Sequence, residues 1–391
     1  MKPIVVLGSG MAGYALIREL RKLDSDIQLT LLTHDTGDYY SKPMLSNALA
    51  QGKDAASLVL TRADEMTRQL GIKLYSQCDV LAIDRSNKRV ETTQGMLEYE
   101  QLILALGADP IRIPLEGDAA DSVLSVNDIT DYALLHQSLD KAQHITILGG
   151  GLIGCEFAND LATAGYSVSI IDPSNYPLAS LMSQQAGESL KHALSSIGVT
   201  WHFGTSMRSI NLTSLGYILT LADGNSLNTD VVLSAIGLRP RIALAQQAEL
   251  AVNRGIVTDA YLRSNDANIF ALGDCAEISG KVQPFVLPIM HAARALAKTL
   301  TGTETPVNFP AMPIVVKTPA HPIAVLPIAR DTTGSWHTLA DVGGIKQIFV
   351  DVTGHMIGFV LTGCYATERN EMSKRIGQYW DSGVASPKGN Y

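Results

Sequence analysis

The sequence predicts an α/β protein with two parallel strand–helix–strand units and a small α+β domain toward its C-terminal end. Three observations predict it. Two segments share one order of apolar strand, glycine turn, helix and second apolar strand; three more apolar strands end at or just before glycine; and after Pro310 the texture changes to short alternating strands.

The first unit runs from Ile4–Leu7 through Gly8-Ser9-Gly10-Met11-Ala12-Gly13 and a helix to about Leu23, then to a strand at Ile27–Leu32. The second runs from Ile145–Leu148 through Gly149-Gly150-Gly151-Leu152-Ile153-Gly154 and a helix to about Ala164, then to Val168–Ile171. Each reads as a βαβ crossover, which pairs its two strands in parallel. The further strands are Gln101–Leu106, Val231–Ile236 and Asn268–Leu272, followed by Gly107, Gly237 and Gly273. Proline and glycine between Ala108 and Pro114 mark the exit from the first unit. Short strands at Ile314–Lys317, Ile323–Leu326, Ile345–Val350 and Met356–Leu361 outline the last domain, and the polar tail after Trp380 carries little signal.

Composition bounds the partners. The 391 residues suffice for two or three domains without staples, and the formal charge of −8 argues against nucleic acid or a polybasic membrane surface. The four cysteines (78, 155, 275 and 364) form no CxxC pair, so no zinc or iron–sulfur site is expected. The histidines lack metal-ligand spacing. Ile4–Leu7 is too short for the apolar region of a signal peptide, and no stretch reaches the roughly 18 apolar residues of a membrane span. A cytoplasmic protein is expected.

A GxGxxG turn between strand and helix brings backbone N–H groups and a helix N-terminus to a pyrophosphate. Both turns have that context, so both units read as Rossmann-like dinucleotide sites, and a flavin with a nicotinamide is the usual pair. Gly8, Ser9, Gly10, Met11, Ala12 and Gly13 form one candidate cradle; Gly149, Gly151 and Gly154 are the marker glycines of the other. Asp172 ends the second strand about 20 residues on, where a carboxylate accepts from ribose hydroxyls and repels a 2′-phosphate, which selects NADH over NADPH. The first unit has Thr33-His34-Asp35 instead, so Thr33 and His34 are expected to line the adenosine pocket, while the acid comes late.

These motifs, with Ala105-Leu106-Gly107-Ala108, Ala235 through Pro240 and Asn268 through Asp274, resemble the two-dinucleotide, glutathione-reductase-like flavoprotein superfamily. Within it, Tyr40 through Ser46, Gly154 through Asp160 and Val316 through Ala320 are similar to the rubredoxin–NAD(+) reductases of bacterial alkane hydroxylase systems, and also to flavorubredoxin reductases. The resemblance implies a discontinuous FAD domain (1–108 and 241–309), an NADH domain (109–240) and a C-terminal domain (310–391). It implies FAD contacts from Gly107, Asp274, Val80 beside the adenine and the backbone of Val286, ahead of a helix at Met290–Leu300. It further implies an ion pair between Lys42 and Glu156 beside the flavin, with Lys317 near flavin N1 and C2=O.

The activity so implied is transfer of a hydride from NADH to FAD, then of single electrons to rubredoxin, by a protein expected to be monomeric. A flavorubredoxin or ferredoxin acceptor is the alternative, and a non-catalytic dinucleotide sensor is the reading from another class. Ser41 through Asn47 holds no thiol where disulfide reductases of the superfamily carry one, which argues against a thiolate relay. Cys155 and Cys275 are expected to be buried packing residues.

Overall fold

The computed structural model describes residues 3–329 and 331–380; the polar tail beyond Trp380 lies outside them. Two five-stranded parallel sheets form the frame, each with the glycine-turn strand at its centre. In the first, the order is Ile269–Ala271, Gln101–Leu104, Ile4–Leu7, Leu29–Leu32 and Lys73–Tyr75. In the second it is Leu124–Ser125, Val231–Ser234, His144–Leu148, Ser167–Asp172 and Val199–Phe203. The central strands are buried on both faces, which explains their uninterrupted apolar character. Glycine ends the strands slightly earlier than the apolar runs suggested: Leu104, Ser234 and Ala271 are the last paired residues.

The two units match in register. Leu7 lies opposite Leu32 and Leu148 opposite Ile171; the amides of Gly8 and Gly149 donate to the carbonyls of Leu32 and Ile171, both at 2.8 Å. Each unit also carries a three-stranded antiparallel flap, Val80–Glu98 in the first and Met207–Thr229 in the second. The duplication is therefore one of whole units.

The chain passes between the two sheets along a narrow ribbon, Ala108–Pro110 paired antiparallel with Leu238–Pro240. Arg241 fastens it, donating to Asp109 Oδ1 at 2.6 Å and to the Leu106 carbonyl. The C-terminal sheet is antiparallel and five-stranded, in the order Ile314–Val316, Ile323–Leu326, Met356–Thr362, Lys346–Asp351 and Gly334–Ala340. The last of these was not expected from the sequence. It is a largely exposed edge strand, so it has no apolar run to give it away.

One apolar core lies under the first sheet, where the helices Met11–Leu23 and Val286–Leu300 pack together. The second core is shared: Ile147, Phe157, Ile170 and Leu190 pack with Val316, Ile323, Val325 and Val360 of the C-terminal sheet. Polar contacts reinforce that junction, Ser183 and Gln185 with Gln347 and Ser189 with His321.

Candidate active site

At each glycine turn the first and last glycines are required by packing. A Cβ on Gly8 would stand 2.3 Å from the Ala105 carbonyl oxygen, and one on Gly13 2.0 Å from that of Gly8. The counterparts behave alike, Gly149 against Ala235 at 2.7 Å and Gly154 against Gly149 at 1.9 Å. The middle glycines differ. A Cβ on Gly10 or Gly151 would meet nothing within 4 Å, and their φ angles of −64° and −77° suit any residue. Neither strain nor crowding within the chain accounts for these two glycines, but close approach of a ligand does. Both lead helices without an acid in the first turn, whose free N–H groups favour an anion.

Asp172 holds the expected place. Its carboxylate accepts from the Gly150 amide at 2.6 Å and the Ser174 amide at 2.7 Å, fixing it against the second turn. In the first unit Thr33 occupies that register position, and its hydroxyl and that of Ser9 are 2.8 Å apart. The late acid is not idle. Asp35 Oδ1 accepts from Ser9 at 2.8 Å, Thr33 at 2.7 Å and the Gly37 amide at 2.9 Å. His34 pairs with Asp79, next to Val80, so Thr33, His34 and Val80 do come together. Val80 begins the strand Val80–Asp84. Gly273 and Asp274 sit against the first turn, since a Cβ on Gly273 would lie 2.7 Å from that of Ala12.

The ion pair expected between Lys42 and Glu156 is replaced by another. Glu156, 2% exposed, pairs through Oε2 with Lys317 Nζ at 2.5 Å and accepts the Ser46 hydroxyl at 2.6 Å; Oε1 accepts the Lys317 amide at 2.8 Å. Lys317 Nζ also donates to the Pro43 carbonyl. Lys42, at the start of the 3-10 helix Lys42–Asn47, donates to Asn127 Oδ1 at 2.7 Å and faces Asp274. Burial pushes the Lys42 ammonium below its ordinary value, opposed by Asp274; burial pushes the Asp274 carboxyl up, opposed by Lys42. Lys317 was not expected as the partner because the resemblance pairs Glu156 with Lys42, and only the tertiary contact brings Lys317 to it. Ser46, Asn127 and Arg241 carry no motif of their own and emerge only from contacts.

Gly107 lies on the carbonyl side of the ribbon with φ +72°, its oxygen accepting the Arg241 amide. Val286 is the first residue of the helix Val286–Leu300, four residues earlier than expected. Pro288 lies in the first turn of that helix, which tolerates proline because its N–H has no partner there in any case.

The two thiols nearest the glycine turns and Asp274, Cys155 and Cys275, are in no position to react, whereas Cys364 is exposed on the C-terminal domain. Cys155 and Cys275 are fully buried; burial pushes the Cys155 thiol up strongly and the Cys275 thiol up to about 12. Among the described residues, no group of three His, Cys, Asp or Glu side chains could hold a metal ion.

Two glycine cradles, one strand-end acid and a charged floor between them define a two-dinucleotide oxidoreductase. The chain belongs to the pyridine nucleotide-disulphide oxidoreductase family, which matches residues 2–298, and within it to the rubredoxin–NAD(+) reductases. A second match, described as a rubredoxin binding C-terminal domain, spans residues 306–376. The chain is 45% identical over 377 residues to the rubredoxin-NAD(+) reductase of Alcanivorax borkumensis, covering 96% of this chain and 99% of that one. It is 39% identical to the nitric oxide reductase FlRd-NAD(+) reductase of Aeromonas hydrophila, covering 93% of each. In fold it is similar to the ferredoxin reductase of the CYP199A2 system of Rhodopseudomonas palustris, with TM-score 0.85, 24% identity and coverage of 93% and 91%.

Proposed function

We propose that this chain is an NADH-dependent rubredoxin reductase whose two glycine cradles would hold FAD and NADH, the flavin supplying the passage from a hydride donor to a one-electron acceptor. The observation that carries the reading is the pair of middle glycines, Gly10 and Gly151, which only a close ligand explains, joined to a C-terminal rubredoxin-binding match.

The residues divide the work. Gly8 through Gly13, with Thr33, His34, Val80 and Asp274, hold the FAD, and Gly107 and Val286 border it. Gly149, Gly151 and Gly154 receive the NADH pyrophosphate. Asp172, already anchored by two amides, accepts the ribose hydroxyls and disfavours a 2′-phosphate. Lys42, Glu156 and Lys317 form the charged floor, each cation faced by an acid: Lys42 by Asp274 and Lys317 by Glu156. Lys317 is the cation assigned to the flavin N1 and C2=O edge, where a positive charge favours the reduced form. The pair with buried Glu156, together with the Pro43 carbonyl and the Ser46 hydroxyl, fixes its position.

Disulfide reduction, which the family name includes, lacks its thiols here: Ser41 through Asn47 has none, and Cys155 and Cys275 are inert. The proposed domains are 1–108 with 241–309 for FAD, 109–240 for NADH and 310–391 for the acceptor side. The ribbon at Ala108–Pro110 and Leu238–Pro240 supports those boundaries. The enzyme is read as a cytoplasmic monomer; among the described residues, no helix is long and apolar enough to cross a membrane. The alkane-hydroxylase setting rests on the similarity to the Alcanivorax reductase.

Anaerobic titration tests the reading. NADH is expected to bleach the flavin absorbance, and oxidised rubredoxin to restore it in two equal steps. No bleaching would favour a binding protein without turnover. Reoxidation by flavorubredoxin or ferredoxin but not by rubredoxin would move the acceptor to another class.

A further inference from the structure

Helix Leu152–Thr163 carries three polar side chains at i, i+3 and i+4, Glu156, Asn159 and Asp160, so they share one face. All three are buried, with exposures of 2%, 3% and 3%. A packed helix face is ordinarily apolar, and a buried carboxylate without full hydrogen bonding is costly. Here each group is matched to a different part of the chain. Glu156 meets Ser46 and Lys317, Asn159 Oδ1 accepts the Ala320 amide at 3.0 Å, and Asp160 accepts the Leu49 amide at 2.9 Å and the Ala50 amide at 3.1 Å. Burial pushes the Asp160 carboxyl up, while the amides of residues 48–50 and the Lys317 charge pull it back toward ionisation.

We propose that Asp160 is a positioning residue that locks the nicotinamide-side helix in register with the stretch following Lys42 and Ser46, while Asn159 ties the same helix face to the turn after Lys317. The two reacting rings then meet in a frame already closed. This rests on the reading of the chain as an NADH-dependent flavin reductase. The helix starts at the NADH cradle and carries Glu156 one turn before Asp160, so a shift of the helix at Asp160 moves both. The cradle, Glu156 and Asp160 lie along about 14 Å of one helix at 1.5 Å per residue. Misplacement of about 1 Å at a reaction centre costs on the order of 100-fold in rate.

Stopped-flow reduction of the holoenzyme by NADH separates positioning from binding and folding. In Asp160→Ala the limiting rate of flavin bleaching should fall about 10-fold or more. The NADH dissociation constant and the flavin midpoint potential should stay at wild-type values. Asp160→Asn keeps one acceptor oxygen and should recover part of the rate. Should Asp160→Ala not fold, Asn159→Ala, which releases only the Ala320 amide, should lower the limiting rate about threefold with the same selectivity. A fully flavinated variant reduced at the wild-type rate overturns the proposal. So does a loss confined to NADH affinity or to flavin content. If the wild-type enzyme itself is not bleached by NADH, the functional reading fails instead.

Discussion

The two glycine turns have the same backbone and different acids. Gly8, Gly10 and Gly13 match Gly149, Gly151 and Gly154 in packing, and both turns hydrogen-bond to the end of the neighbouring strand. At the strand end, however, Asp172 stands directly against its turn, whereas Thr33 takes that place in the first unit and the carboxylate comes two residues later, through Ser9 and Thr33. The cradle is thus a steric device common to both sites. The polar group beside it differs, and on the proposed function the difference suits the ligands: a direct acid for a nucleotide that exchanges on every cycle, a hydroxyl-mediated one for a nucleotide that stays.

The largest test of the shared part is a methyl group at the third glycine. Gly154→Ala puts Cβ 1.9 Å from a carbonyl oxygen and should abolish reduction by NADH, more than about 100-fold, in a protein that keeps its yellow colour. Gly13→Ala, with a clash at 2.0 Å, should yield protein without flavin; absorbance of the purified chains distinguishes the two.

The differing part is probed next. Asp172→Ala should raise the KM for NADH about 10- to 100-fold with little change in kcat, the range for losing charge-assisted hydrogen bonds of about 1.5–3 kcal/mol. Asp35→Ala should instead loosen FAD about tenfold, measured by fluorescence titration of the apoprotein, and leave the NADH KM alone.

The smallest effect is one of pH. His144 lies in the second parallel sheet and His321 at its junction with the C-terminal sheet, and burial lowers both below the ordinary 6.5. Below that pH the unfolded chain binds protons that the folded form refuses, so their contribution to stability is lost as pH falls. Unfolding followed by tryptophan emission, with Trp201 and Trp336 both packed against the shared core, should shift to lower temperature at pH 5.5 than at pH 7.5. Flavin release should shift less.

Much of this was legible from residue order, for a physical reason. A glycine turn, a buried parallel strand and a strand-end acid are each set by neighbours within about 25 residues, so their pattern is local. Asp172 and the two glycine turns stand at the strand ends where the residue order places them. The pairing of Glu156 was not local: two lysines competed for it, and the tertiary fold chose Lys317 over Lys42. The motif around Glu156 was visible, but the reason for its Asn159 and Asp160 was not, because their partners are backbone amides that bear no side-chain signature. The edge strand Gly334–Ala340 escaped for the opposite reason, since an exposed strand needs no apolar alternation.

The core shared by the nicotinamide unit and the C-terminal sheet bears on how such an enzyme can change its clients. A docking module hung on a linker could be traded between chains like a cartridge. This one is welded, so a chimera that imports a foreign C-terminal sheet must bring its matching helix, here Gln184–Ser195, or leave an oily seam open to water. New acceptors should therefore be acquired by editing loops on the sheet and not by exchanging the sheet.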